Sequence, residues 1–281
     1  MKFKLCLNTS TIRPVKSIVE KIQIAIESGF EGIELWHDDL AAYEKQAGSL
    51  ENIKKLLDDN NLEVVTTIAL HGWVSSTGNE YERALEDAQT KMKQAAAIGA
   101  KHIIASPPRE VVSDMDEAAR RYRNLLELGR EFGVKPAMEF LGFVEGINQI
   151  NDAWEIVSKA DHPDGTIVLD SFHIYRGGSD INDMKQIPGD KIAIFHINDA
   201  PRTPAREKQT DADRIYPGDG ILPLSEMVQI LRDVGYSGHI SLEEETRELG
   251  TSVIVRHLKS KTSEKLQPFE FKFVKEEGRV H

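Results

Sequence analysis

Four apolar stretches in this chain run straight into side chains that can bind a metal. Ala137-Met138 leads to Glu139. Val168-Leu169 leads to Asp170, with His173 three residues on; Phe195 leads to His196, with Asp199 close behind; Ser241-Leu242 leads to Glu243, Glu244 and Glu245. A carboxylate directly after an apolar strand must reach solvent or find a cation. Taken singly, each is a solvated rim residue or a helix cap, as Asp170 and His173 would be for the helix that follows. Four such strand ends in successive units point instead to one shared cation. Three oxygen donors and an imidazole suit a single divalent ion (Mn²⁺, Co²⁺, Mg²⁺ or Zn²⁺) and leave coordination positions for a substrate.

These side chains meet only if the strands that carry them end at a common mouth, and the punctuation of the chain supplies that arrangement. Four times an amphipathic run stops at a glycine, at Gly29, Gly99, Gly133 and Gly235, and an apolar strand-like segment starts within a few residues. Glycine relieves the left-handed conformation that follows a helix, and the short link suits a helix-to-strand turn. Ile18, Ile22, Ala25 and Ile26 form one helical stripe, and Leu224, Val228 and Leu231 form another. Pro14 and Pro223 fall where a first helical turn accepts proline. Further strand-like segments lie at Phe3–Asn8, Leu62–Leu70, Thr166–Asp170 and Ile192–Ile197, making eight in all. Eight units across 281 residues give about 35 residues each, the size of a βα repeat. No Gly-x-Gly-x-x-Gly or Walker pattern follows any strand, which disfavours an open doubly wound sheet. The expected fold is therefore α/β, a (β/α)8 TIM barrel, as one domain over residues 1–265. Residues 266–281 fall outside the repeat. There Phe269, Phe271 and Phe273 alternate with polar residues as an appended strand would, and a homodimer contact is expected from them.

Composition limits the partners. The 35 Lys and Arg against 46 Asp and Glu leave a net charge of −11, which disfavours nucleic acid or an anionic membrane. No apolar run approaches a spanning helix, and the first residues read as a strand rather than a leader. The single cysteine, Cys6, excludes a disulfide framework or a Cys-rich zinc site and reads as a buried small hydrophobe. A cytoplasmic enzyme or binding protein is the expectation.

The segments Leu169–His173, Phe195–Asp199, Asp211–Gly220 and Ile240–Glu243, in that order, resemble the xylose-isomerase-like TIM barrels, most of all those that isomerise inososes in inositol catabolism. The resemblance runs to about residue 265 and is densest from Val134 to Glu245. It implies that Glu139, Asp170, His196 and Glu243 hold one divalent metal, and it selects Glu243 from the three adjacent glutamates. It also implies that His173 and Arg214 contact substrate oxygens. The chemistry follows from those residue types. A divalent ion on a ketone oxygen and its neighbouring hydroxyl acidifies the C–H between them. Glu139 and Glu243, on opposite sides of the ion, are the expected acid/base pair, acting on a small polyhydroxy ketone through an enediol(ate). His173 and Arg214 hold the oxygen on which negative charge develops.

Other residues carry less. Glu34 and Trp36, like His71 and Trp73, lie near expected strand ends; the aromatics wall a sugar face or pack beneath loops, and none of the four receives a catalytic role. Ser171 lacks a Gly-x-Ser-x-Gly elbow, and Ser106-Pro107-Pro108 reads as loop shaping. The acids around Asp58 and Glu276 read as solvated surface. Rival activities with a similar metal site are a ketose 3-epimerase or hydroxypyruvate isomerase, and a decarboxylase or lyase acting on an oxo-sugar acid. A non-catalytic metal-dependent sugar-binding protein is the non-enzymatic rival. Endonuclease IV-type DNA repair is set aside, because Asp213-Arg214 is followed by Ile215 where that family resembles Asp-Arg-His.

Overall fold

A computed structural model describes residues 3–243 of the chain. Eight parallel strands close into a barrel in chain order. They are β1 (Lys4–Asn8), β2 (Gly32–Trp36), β3 (Glu63–Leu70), β4 (His102–Ala105), β5 (Lys135–Met138), β6 (Thr166–Asp170), β7 (Ile192–Ile197) and β8 (His239–Leu242). Helices α1 (Ile18–Glu27), α2 (His37–Lys45), α3 (Leu50–Asp59), α4 (Asn79–Ala97), α5 (Met115–Phe132), α6 (Ile150–Ala160), α7 (Ser171–Gly177) and α8 (Leu224–Asp233) connect them, two of them between β2 and β3. The expected barrel is present, and Gly29, Gly99, Gly133 and Gly235 all adopt positive φ, between +70° and +80°. Pro14 differs from expectation. Ser17 caps α1 by accepting from the Glu20 N–H, so the helix starts four residues after Pro14, which serves the preceding turn. Pro223 stands one residue before α8.

The strands are apolar on both faces because both faces are covered. Inside the barrel, Cys6, Val65, Ile104, Ala137, Val168 and Ile194 pack into a small plug. Outside it, Leu7, Ile33, Ile103, Leu169, Phe195 and Ile240 join the helix stripes in one continuous shell. Cys6 is fully buried in the plug, and burial pushes its thiol well above the usual range, so it is the inert hydrophobe expected. Residues 244–281 lie outside the described residues, and with them Glu244, Glu245, Glu276 and the Phe269–Phe273 alternation on which the dimer expectation rested. Among the described residues, no helix is long and apolar enough to cross a membrane.

Two histidines tie this packing to pH. His37 opens α2 with Nε2 3.1 Å from Thr67 Oγ1 and Nδ1 3.0 Å from Gln94 Oε1, and burial pushes its pKa down to about 4. His239, at the start of β8, is likewise pushed down to about 4 by burial. The unfolded chain takes up these protons near pH 6.5 and the folded chain only near 4. Stability is therefore lost as pH falls through that window, by up to about 3 kcal/mol for each group. Thermal melts should give a lower Tm at about pH 4.5 than near pH 7, and H239F should flatten the dependence; equal Tm values in the wild type would contradict this.

Candidate metal centre at the barrel mouth

The working face lies at the C-terminal ends of the strands. The parallel register sets His196 on β7 level with Asp170 on β6 and with Ser241 on β8. Glu139 and Glu243 sit one residue past β5 and β8, held by backbone bonds from Glu139 N–H to the Ala105 carbonyl and from Glu243 N–H to the Ile197 carbonyl. β5 to β8 are consecutive around the barrel, so Glu139 and Glu243 stand at the two ends of an arc with Asp170 and His196 between them.

Among the described residues, Asp170, His196 and Glu243 each offer a ligand atom, all within 4.8 Å of one another, and so could hold a metal ion. Buried His196 Nδ1 faces two carboxylates, 2.9 Å from Glu243 Oε2 and 3.7 Å from Asp170 Oδ2. An imidazole nitrogen facing two carboxylate oxygens in a buried site calls for a cation among them. The donor set, oxygen plus imidazole, fits a divalent ion. Glu139 lines the same cavity and accepts a hydrogen bond from Ser106 Oγ at 2.8 Å. Ser106 was expected only to shape a loop; it orients a carboxylate.

Charge in this mouth is strongly redistributed. Burial pushes Glu139 up to about 8, with Glu243 adding to the rise against the pull of His196. Burial also acts to raise Asp170, but Arg214, His173 and His196 outweigh it and hold the group well below the carboxylate range. For Glu243 burial is likewise outweighed, by Arg214 and His196. His196 runs the other way: burial lowers it, yet Glu34, Glu243 and Asp170 together raise it well above its usual value. Burial, aided by Arg214 against the pull of Asp170, holds His173 below the usual imidazole range.

Each of these side chains has a support. Asp170 ends β6 and caps α7, its Oδ1 accepting from the His173 N–H at 2.8 Å, so the capping role and the site role coexist. Its other oxygen accepts from Asn198 Nδ2 at 3.2 Å and Arg214 Nη2 at 3.1 Å. Arg214 Nη2 also lies 3.0 Å from His173 Nε2, and the guanidinium stacks over Phe172 at 5.2 Å. Arg214 sits in the long β7–α8 loop, which Asp199 organises. Asp199 Oδ1 accepts from the Ala200 and Leu222 N–H groups, and Oδ2 accepts from those of Gly218 and Gly220. The backbone of Asp199 also pairs with Ile215, the neighbour of Arg214. Gly218 has φ +86°, and a Cβ on Gly220 would stand 2.3 Å from Asp199 Oδ1, which accounts for both glycines of the Pro217–Gly220 run.

Sequence reasoning missed Glu34. This fully buried carboxylate on β2 takes His196 Nε2 at 3.0 Å, Thr66 Oγ1 at 2.5 Å and the Ser241 hydroxyl. A carboxylate behind a histidine holds the proton on Nε2 and turns Nδ1 toward a metal. The available signal was the same as for the four acids above, a carboxylate near a strand end. Asn8 was also missed. It is fully buried and lines the cavity; Oδ1 accepts from the Ser10 N–H, while Nδ2 has no partner among the described residues. Trp36 and His71 line the cavity as expected of mouth residues. Trp73 instead packs beneath, 1% exposed, donating from Nε1 to the Ser106 carbonyl. Because Glu34 fixes the orientation of His196, Glu34→Gln should weaken Mn²⁺ affinity about 10- to 100-fold in a metal titration while the chain stays folded. An unchanged affinity would remove Glu34 from the site.

The family model of the xylose isomerase-like TIM barrel matches residues 22–265. An inosose isomerase of Halalkalibacterium halodurans is 30% identical over 247 residues, covering 85% of this chain and 87% of that protein. A 3-dehydroshikimate dehydratase of Pseudomonas putida is 24% identical over 83% of this chain but only 37% of its own length. Among solved structures, the IolI protein, crystallised with a zinc atom, superposes with a TM-score of 0.86 at 24% identity, covering 95% of this chain and 99% of that one. By the family model and the inosose isomerase together, the chain belongs to the xylose isomerase-like TIM barrel family.

Proposed function

We propose that this chain is a metal-dependent isomerase or epimerase of a small polyhydroxy ketone, with an inosose as the first substrate to test. The observation that carries the proposal is the arc of Glu139, Asp170, His196 and Glu243 around one mouth, opening into a cavity of about 420 Å³ lined by Trp36, His71, Phe143 and His173. That volume suits a six-carbon polyol rather than a polymer. The named inosose isomerases among its relatives support the inosose reading.

Glu139 would join Asp170, His196 and Glu243 as the fourth ligand. Bound there, a divalent ion supplies polarisation of a ketone and its adjacent hydroxyl, which acidifies the C–H between them. Zinc, as in IolI, and manganese both suit the donors. The remaining work falls to the protein's own groups. Glu139 and Glu243 lie on opposite sides of the substrate, one accepting the proton and the other returning it. Return to the neighbouring carbon isomerises, and return to the opposite face epimerises. Arg214, held by His173 and Asp170, offers N–H groups to the oxygen where negative charge grows, and His173 lines the same space. Asn8 also lines this space. Phe143, packed edge-on to His173 at 5.3 Å, narrows the mouth on the β5 side. The setting is a soluble cytoplasmic enzyme of carbohydrate metabolism.

Loss of a β-hydroxyl as water from the same enediol(ate), or formation of that enediol(ate) from an oxo acid by loss of carbon dioxide, is the second reading, favoured over a pure binding role by the likeness to a named dehydratase. Incubating the Mn²⁺-loaded protein with an inosose in D₂O should place deuterium at the carbon beside the ketone. Glu139→Gln and Glu243→Gln should each lower that exchange about 10²- to 10⁴-fold in the variants that retain metal and substrate. Full exchange in both would sink the acid/base assignment. A product lighter by water would select the second reading.

A further inference from the structure

The outer wall of the cavity, on the side away from Glu139, carries a cation that neither the metal centre nor the proton transfer uses. Arg13 lines the cavity from the segment after β1 and makes no ion pair or hydrogen bond through its guanidinium among the described residues. Its contact is the Trp36 ring, with the guanidinium carbon 5.0 Å from the centroid. The Trp36 indole nitrogen is itself buried, so the guanidinium edge of Arg13 is what this corner offers to a ligand.

The segment that delivers Arg13 is built rather than loose. Thr9, Ser10, Thr11 and Ile12 form a short 3₁₀ turn in which all four are buried. Thr9 Oγ1 donates to the Glu34 carbonyl at 2.8 Å, and Thr11 Oγ1 donates to the Leu242 carbonyl at 3.1 Å, tying the turn to the strands on both sides. The Arg13 N–H closes the turn on the Ser10 carbonyl, and Pro14 restricts the chain beyond it. Stacking on Trp36 covers one face of the guanidinium and leaves its N–H edge for a planar or tetrahedral oxyanion. Arg109 lines the cavity as well, from the loop after β4, but Glu110 lies beside it on the same wall. Arg13 is thus the lining cation with a defined geometry and, among the described residues, no paired acid.

We propose that Arg13, held on Trp36, is a subsite for an anionic substituent, so that the polyhydroxy ketone this mouth takes best bears a carboxylate or a phosphate away from its reacting carbonyl. The proposal rests on the metal-dependent reading above and deepens its substrate class. A chain of net charge −11 repels anions at long range, and a local cation at the mouth is the device that admits one. An anion anchored at Arg13 while the ketone end faces Glu139 and Glu243 also fixes which carbon is presented to those carboxylates, which contributes to kcat as well as to binding.

Binding alone tests this, with no need for turnover. Calorimetric titrations of the full chain loaded with Mn²⁺ would compare glucuronate with glucose, and sorbitol 6-phosphate with sorbitol, in wild type and in R13M. At least one acidic probe should bind tenfold or more tightly than its neutral partner, the probe that does so identifying carboxylate or phosphate. In R13M that preference should fall at least tenfold, toward one. A preference unchanged in R13M, or no preference for either acid in the wild type, would overturn the proposal. The deuterium exchange of a neutral inosose reports on Glu139 and Glu243 independently, so the two readings fail separately.

Discussion

The structure turns on the burial of negative charge. Glu139, Asp170 and Glu243 converge on one mouth, each with at most 9% of its surface exposed, and His196 aims a nitrogen at two of them. Carboxylates gathered in a site of low dielectric cannot all stay ionised unless cations answer them. Arg214 is one answer, close to both Asp170 and Glu243. A divalent ion, which Asp170, His196 and Glu243 could hold, would be the other, and its charge would turn an expensive cluster into a reactive one.

Most of what surrounds the cluster holds its members to a single geometry. Glu34, with Thr66 and Ser241 on its oxygens, sits behind His196. Ser171 and Asn198 bond to each other, and Asn198 reaches Asp170. Ser106 orients Glu139, and Asp199 gathers four backbone N–H groups to shape the loop that carries Arg214. These supports come from β2, β3, β4, β6, β7 and β8, so a closed barrel with fixed register is needed to assemble them.

Much of the fold could be read from the chain because it is written in local chemistry. A glycine in the left-handed region after an amphipathic run marks the end of a helix wherever it occurs, and all four such glycines behave that way. Thr166–Asp170 and Ile192–Ile197 were recognisable to the residue because an apolar run leads into a metal-capable side chain, Asp170 in one and His196 in the other. The second layer of the site was not readable in this way. Glu34 and His196 are 162 positions apart, and nothing in Ile33-Glu34-Leu35 separates a buried orienting carboxylate from a rim residue. The roles of Ser106, Asn8 and Arg13 depend on which neighbours a closed barrel brings to a loop end, which is a property of register and not of spacing. Pro14 was misplaced for a related reason: a proline that stiffens a turn and one that opens a helix have the same local signature.

The most direct test of this account is anomalous diffraction from crystals grown with Mn²⁺. The account predicts one strong peak at the barrel mouth, bonded to His196 through Nδ1 and to oxygens of Asp170, Glu243 and Glu139, with Glu34 remaining on Nε2. A peak elsewhere on the chain, or an ion held without His196 Nδ1, would contradict it.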